Sequence, residues 1–355
     1  MYIVIAILIF GVLIAVHELG HFTVAKLSGV RVDEFAIGMG PKILKKQGKE
    51  TLYSLRAFPI GGFCSMGEDA ASDNPRAFVN QRVWKRTLIL LAGSFMNFLL
   101  GFVIILLIAP GMNPNGYQAP EITGFMQGCP YAGSGGLQAG DVFYKIDGER
   151  IYTRQDMDLF LSRNASGDFN FVLLRDGQQV TLDNFHMVKS VYVADDGVQE
   201  QLYGFYLEQY DTGLGATLKY TWYSAWDNVR MVQLGLSDLF TGAAGVKDLS
   251  GPVGIVDFVN QVGRQSPSVG VALLNILNLS AFIAINLAVM NLLPIPALDG
   301  GRIVFLWVTW VIEKISRRKL DPKYEGYIHG ATFVLLIGLM VFVMFNDIMR
   351  IAGGG

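Results

Sequence analysis

The run Tyr2-Ile-Val-Ile-Ala-Ile-Leu-Ile-Phe-Gly-Val-Leu-Ile-Ala-Val16 leads directly into His17-Glu18-Leu19-Gly20-His21, so a metal-site signature closes a segment apolar enough for lipid. On a helix, positions i and i+4 share a face. His17 and His21 can therefore turn two imidazoles to one zinc, with Glu18 in reach of its water as general base. Zinc lowers the pKa of such a water to about 7, so the chemistry expected is hydrolysis, most often of a peptide bond. An ionisable residue in a hydrophobic span costs about 2.5–3.5 kcal/mol on insertion scales, and three within five positions call for a compensating partner such as a metal. The bland reading, polar residues on a helix for solubility, is weakened because the chain has only four histidines and two of them stand here.

The remaining composition is mixed. With 355 residues, 52% hydrophobic and 16% charged, the chain is too apolar for an ordinary soluble protein and too polar to be all membrane. Apolar stretches at 1–25, 87–109, 273–298 and 327–346 are each long enough to cross about 30 Å of hydrocarbon as helix. The first lacks the basic start and small-residue cleavage site of a signal peptide and is read as a transmembrane helix. Residues 26–86 carry 11 Lys or Arg against 6 Asp or Glu, and 302–324 carry 6 against 2, which places both in the cytoplasm. The segment 111–272, with 10 basic and 18 acidic residues, belongs outside. Residues 302–312 are long enough to raise a fifth span, but that would put Lys314, Arg317, Arg318 and Lys319 outside, so a short buried or interfacial helix is expected. Cys64 and Cys129 then lie on opposite sides of the membrane and cannot pair. The net charge of −2 argues against a nucleic-acid partner.

A catalytic zinc needs a third protein ligand. The candidate is Asp299, in Asn291-Leu-Leu-Pro294-Ile-Pro296-Ala-Leu-Asp299-Gly300-Gly301, where prolines and glycines interrupt an apolar span and can aim a carboxylate at a partner helix. The alternative is a plain turn between two helices with Asp299 as its cap. His21 and Asp299 both fall near the cytoplasmic ends of their spans, which the plain turn does not predict.

With these elements in place, the chain resembles the site-2 proteases, zinc intramembrane proteases, and among them the bacterial RseP type. The matching pieces are His17–His21, the element from Asn291 to Gly300, Gly93-Ser-Phe-Met-Asn97, and Ser250-Gly251-Pro252-Val253-Gly254, in the family's order over nearly the whole chain. The resemblance implies that His17, His21 and Asp299 hold Zn2+, that Glu18 is the catalytic base, and that Asn291 and Pro294 border the substrate cleft. It implies a bacterial plasma-membrane enzyme cutting membrane-spanning substrates already trimmed by another protease, such as anti-sigma factors, or remnant signal peptides. The best known members carry two PDZ modules, whereas the insert here has room for one.

The expected fold is a polytopic α-helical membrane protein with four transmembrane helices, a cytoplasmic membrane-associated β-hairpin and one extracytoplasmic PDZ-like α+β domain. Its parts are helices at 1–25, 87–109, 273–301 and 327–348, a cytoplasmic loop at 26–86, the PDZ-like domain at 111–195, a helical linker at 196–272 and a cytoplasmic-side helix and loop at 302–324. Within the domain, Phe169–Leu174, turn Arg175–Gly177 and strand Gln178–Leu182 form a hairpin, and the glycine-rich run through Gly135, Gly136 and Leu137 is the candidate peptide nest. A steric spacer with no peptide capture is the competing reading. Residues 213–241, with Tyr220, Trp222, Tyr223 and Trp226, suit either an interfacial amphipathic helix or a plain linker. Lys49–Phe58 reads as strand, residues 68–76 as a solvated loop, and His186 and His329 as structural. A membrane scaffold or metal carrier with an incidental motif is the rival from another class; it predicts intact function after Glu18→Gln.

Overall fold

The computed structural model describes every residue except 68–73, 194–198, 246, 248, 318–322 and 354–355. The sequence-based loop at 68–76 and the cluster residues Arg318 and Lys319 thus fall wholly or partly outside the described residues. The chain divides into two compact units, Met1–Ile105 with Asn228–Gly355, and Leu106–Asp227.

In chain order the first unit begins with helix α1 (Tyr2–Leu27), strands β1 (Glu34–Gln47) and β2 (Leu52–Ser65), and α2 (Val83–Met112), which runs on past the unit's edge. It resumes within α4 (Leu214–Thr241) and continues through α5 (Pro252–Gln265), α6 (Val269–Asn291), α7 (Asp299–Ser316) and α8 (Lys323–Ala352). Among the described residues, four helices are long and apolar enough to span a bilayer: α1, α2, α6 and residues Gly326–Ala352 of α8. At 1.5 Å per residue, α1 is about 39 Å long, more than the hydrocarbon core requires. The apolar windows of α2 and α6 are 44% and 39% buried, those of α1 and α8 only 17% and 6%, so the former pair is packed more deeply and the latter pair leaves most of its apolar side chains exposed.

Burial of alternating faces joins these helices. Ala6, Val259 and Ile276 bring α1, α5 and α6 together, and Leu13, Ile283 and Ala284 continue the seam. A second core of Ala25, Val30, Val32, Cys64, Met66, Phe78, Ile89 and Leu90 ties the end of α1 to the strands and α2. At its far end α8 is held by buried Asp347, whose Oδ2 accepts the Gly251 and Gly254 amides at 2.9 and 2.8 Å and thereby caps α5.

The strands are more than a hairpin. Residues 45–47 pair antiparallel with 52–54 (Lys45↔Ser54, Gln47↔Leu52), while 35–37 pair parallel with 53–55 (Phe35↔Tyr53, Ile37↔Leu55) and antiparallel with 62–64 (Phe35↔Cys64, Ile37↔Gly62). Each long strand bends and folds back, at glycines with positive φ (Gly38 and Gly40 in β1, Gly61 in β2), so two strands make four rungs. The expected span 273–301 is also altered: α6 stops at Asn291, and Asp299 opens α7. Pro294 and Pro296 supply no amide to continue the helix, so the chain turns first. The helix expected at 302–312 is longer, Asp299–Ser316, and is not among the candidate spans.

The second unit holds β3 (Tyr117–Phe125), β4 (Val142–Ile146), β5 (Glu149–Arg150), α3 (Arg154–Arg163), β6 (Asp168–Arg175), β7 (Gln178–His186), β8 (Ser190–Val193), β9 (Gln199–Leu202) and β10 (Phe205–Tyr210). The main sheet runs β10-β3-β4-β6-β7, with β5 on β4. Asp176 and Gly177, both at positive φ, make the tight turn between β6 and β7. Ile122, Leu137, Phe143, Ile146, Phe169, Phe171 and Leu173 fill the core. The start of α4 packs on this sheet through stacked Tyr117–Tyr220 and Tyr152–Tyr223, 4.4 and 4.8 Å between centroids, and through Thr153 Oγ1 donating to Asp227 Oδ2 at 2.7 Å. Two of the four aromatic residues expected at a membrane interface are thus spent on the domain, and Trp222 and Trp226 remain exposed.

Candidate metal centre

The last three turns of α1 present His17 and His21 on one face, with their rings edge to face and their Nε2 atoms 3.1 Å apart. Asp299, the first residue of α7, brings Oδ2 to 3.2 Å from His17 Nε2 and 3.3 Å from His21 Nε2. Three ligands binding zinc tetrahedrally at about 2.0–2.1 Å would hold their donor atoms about 3.3 Å apart, so the triangle fits the ion. Among the described residues the buried Asp299 Oδ2 atom has no hydrogen-bond partner, which suits an oxygen that ligates a cation. Two imidazoles and one carboxylate leave a fourth position open, as a catalytic site requires.

Helix α2 shapes this site; the resemblance marked its element Gly93–Asn97 without assigning those residues a role. His21 Nδ1–H donates to the Ile89 carbonyl at 2.7 Å, which leaves Nε2 as the lone-pair nitrogen facing the triangle. One turn on, a Cβ at Gly93 would stand 2.5 Å from His21 Nε2 and 2.6 Å from His17 Cε1, so only glycine lets α2 approach the rings. Glu18 is half-buried, and a Cβ at Gly62 would meet its Cγ at 3.2 Å, which puts the β2 rung 62–64 beside the general-base candidate. Asn291 is half-buried at the end of α6 and Pro294 exposed in the turn after it. In that turn the Ala297 amide donates to His329 Nδ1 at 2.8 Å, giving this histidine a structural part, and His186 pairs with Asp168 at 2.7 Å.

In the glycine-rich run of the second unit, two of the three amides of Gly135–Leu137 are bonded within the loop. The Gly136 amide donates to Gly133 O, the Leu137 amide donates to Tyr131 O, and the Leu137 side chain is wholly buried. The Arg175 guanidinium, held by buried Asp141 at 2.7 and 2.8 Å, also donates to Gly136 O. Two of the three positions therefore have no amide left for a peptide carboxylate.

Residues 5–339 match the sequence profile of peptidase family M50. The chain belongs to that family. It is 37% identical over 352 residues to a zinc metalloprotease of Clostridium acetobutylicum, covering 98% of this chain and 97% of the relative. Zinc metalloprotease RasP of Bacillus licheniformis is 29% identical over 97% of this chain and 98% of its own. The regulator of sigma-W protease RasP of Bacillus subtilis is 27% identical over 97% of both chains. The protein is thus a multi-pass, zinc-dependent M50 metalloprotease.

Proposed function

We propose that this M50 protease is an intramembrane endopeptidase that cleaves transmembrane segments of single-span substrates. The observation that carries the reading is the position of the site: two ligands and the base lie on α1, itself a candidate span, and the third opens the helix that follows a second span. In this reading His17, His21 and Asp299 hold zinc, which supplies Lewis acidity to water and to the scissile carbonyl. Glu18 takes the proton from the attacking water and returns it to the leaving amine. A helical substrate has its carbonyls and amides already paired, so it must unwind before attack. Exposed backbone groups cost several kcal/mol each in hydrocarbon, and the β2 rung beside Glu18 can pair them as an added strand. Asn291 and Pro294 border the cleft and hold the opened segment.

The basic loops support a topology in which β1 and β2 are cytoplasmic and the second unit, a PDZ-like domain spanning the segment 111–195 with β9 and β10, is extracytoplasmic. Such a domain would admit substrates trimmed by an earlier cut, among them anti-sigma factors and remnant signal peptides; the Bacillus subtilis relative is named as a regulator of sigma-W. Strand addition would use an edge of the main sheet, which ends in β10 on one side and β7 on the other. The deciding experiment compares membrane peptides accumulating in cells with wild-type and Glu18→Gln protein. Glu18→Gln should abolish cleavage and leave zinc bound, because it removes the base and no ligand; turnover by the purified variant would refute the assignment.

A further inference from the structure

We propose that Asn97 is a positioning residue for His17: its carboxamide oxygen accepts the imidazole Nδ1–H and holds the ring with Nε2 turned to the metal. The proposal rests on the reading of His17 as a zinc ligand. Asn97 is 1% exposed, its buried Oδ1 has no hydrogen-bond partner among the described residues, and its Nδ2 stands 3.5 Å from His17 Nδ1. A ring that gives Nε2 to a metal carries its proton on Nδ1. The amide nitrogen would then oppose donor to donor while the oxygen goes unused. Exchanging the amide's oxygen and nitrogen leaves the side-chain shape unchanged and turns the acceptor oxygen to the imidazole Nδ1–H. The same helix already serves the other ring in this way, through the Ile89 carbonyl on His21 Nδ1. Ile89, Gly93 and Asn97 recur at intervals of four along one face of α2: acceptor, gap for the rings, acceptor.

The test titrates zinc into metal-stripped, full-length protein in detergent against a chromophoric chelator, for wild type, Asn97→Leu, Asn97→Asp and His17→Ala. Asn97→Leu keeps the volume and removes the acceptor; it should weaken zinc binding by about 10–100-fold, the usual effect of losing a ligand's outer hydrogen bond. Asn97→Asp retains an acceptor oxygen and should bind near the wild-type level. A second measurement needs no variant: in zinc-loaded wild type labelled with 15N-histidine, His17 should show a protonated, hydrogen-bonded Nδ1, and four histidines keep the assignment tractable. Wild-type zinc affinity in Asn97→Leu, or an unprotonated His17 Nδ1, overturns the positioning role when His17→Ala loses zinc. If His17→Ala binds zinc normally, the ligand reading itself fails, and the positioning role with it.

Discussion

Gly93 shows how much of a metal site can depend on an atom that is missing. Its absent Cβ would fall within 2.6 Å of both imidazoles, and Gly20 of α1 likewise meets the Ala92 carbonyl directly, so the two helices touch through backbone. Gly93→Ala should therefore cost about 1–3 kcal/mol of overpacking, enough to weaken zinc binding about fivefold or more while leaving helix content unchanged. Chelator-competition titration beside circular dichroism checks both parts; wild-type zinc affinity would mean that the rings can move aside. His17 and His21 were legible because i, i+4 spacing is local to one helix. Gly93 stood out only as part of a matching element, and its role was not legible, since its demand for space arises only where α2 crosses α1. Gly135–Leu137 is ambiguous for a related reason: glycines suit an open nest and a closed loop equally, and only the partners of their amides distinguish the two. Gly136→Glu would consequently damage the loop itself, because a Cβ there runs into the Tyr131 carbonyl.

Among the elements, the folded-back strands β1 and β2 depend on two carboxylates. Partial burial pushes the Glu34 carboxyl up, but hydrogen bonds from Ser54, Lys42 and Arg56 outweigh it and hold the group at about 2. These partners lie at 2.7–2.9 Å and come from both strands, so Glu34 pins the bend. Glu50 is held at about 2 chiefly by Lys26, against some burial and with help from Arg76. Both groups are depressed below their unfolded value of about 4.5, so their stabilisation is complete above that pH and is lost as pH falls from about 4.5 towards 2. Amide-exchange protection of residues 34–37 and 52–55 should stay level from pH 7 to 5 and decline below, and Glu34→Gln should flatten the decline. An unchanged decline in that variant would assign it to other groups. The strand character of Lys49–Phe58 was visible in its residues. The second rung of each strand was not, because four short rungs from two long strands require bends whose partners are distant in sequence.

At the scale of the whole molecule, the second unit is proposed to act as a size filter on an external face. Its sheet closes through β10 on β3, with Tyr210 beside Tyr117, so removing 118–190 alone would strand β10. Replacing 117–210 by a short Gly-Ser linker uses two ends that already adjoin. The expected result is an intact zinc site that now cuts substrates whose external domains are untrimmed; a variant that cuts only trimmed substrates would refute gating. Cleavage is read by substrate processing in cells, and zinc content serves as the control. The sequence alone determined that this chain crosses a membrane and carries zinc-protease chemistry, because hydropathy and the helical spacing of two histidines are properties of single segments. Only the tertiary structure decided that Asp299 opens a new helix yet meets both imidazoles, that α2 supplies their outer contacts, and that the glycine loop is closed. Each of these depends on which backbone groups and side chains from distant segments come within hydrogen-bonding or van der Waals reach, and no local pattern encodes that.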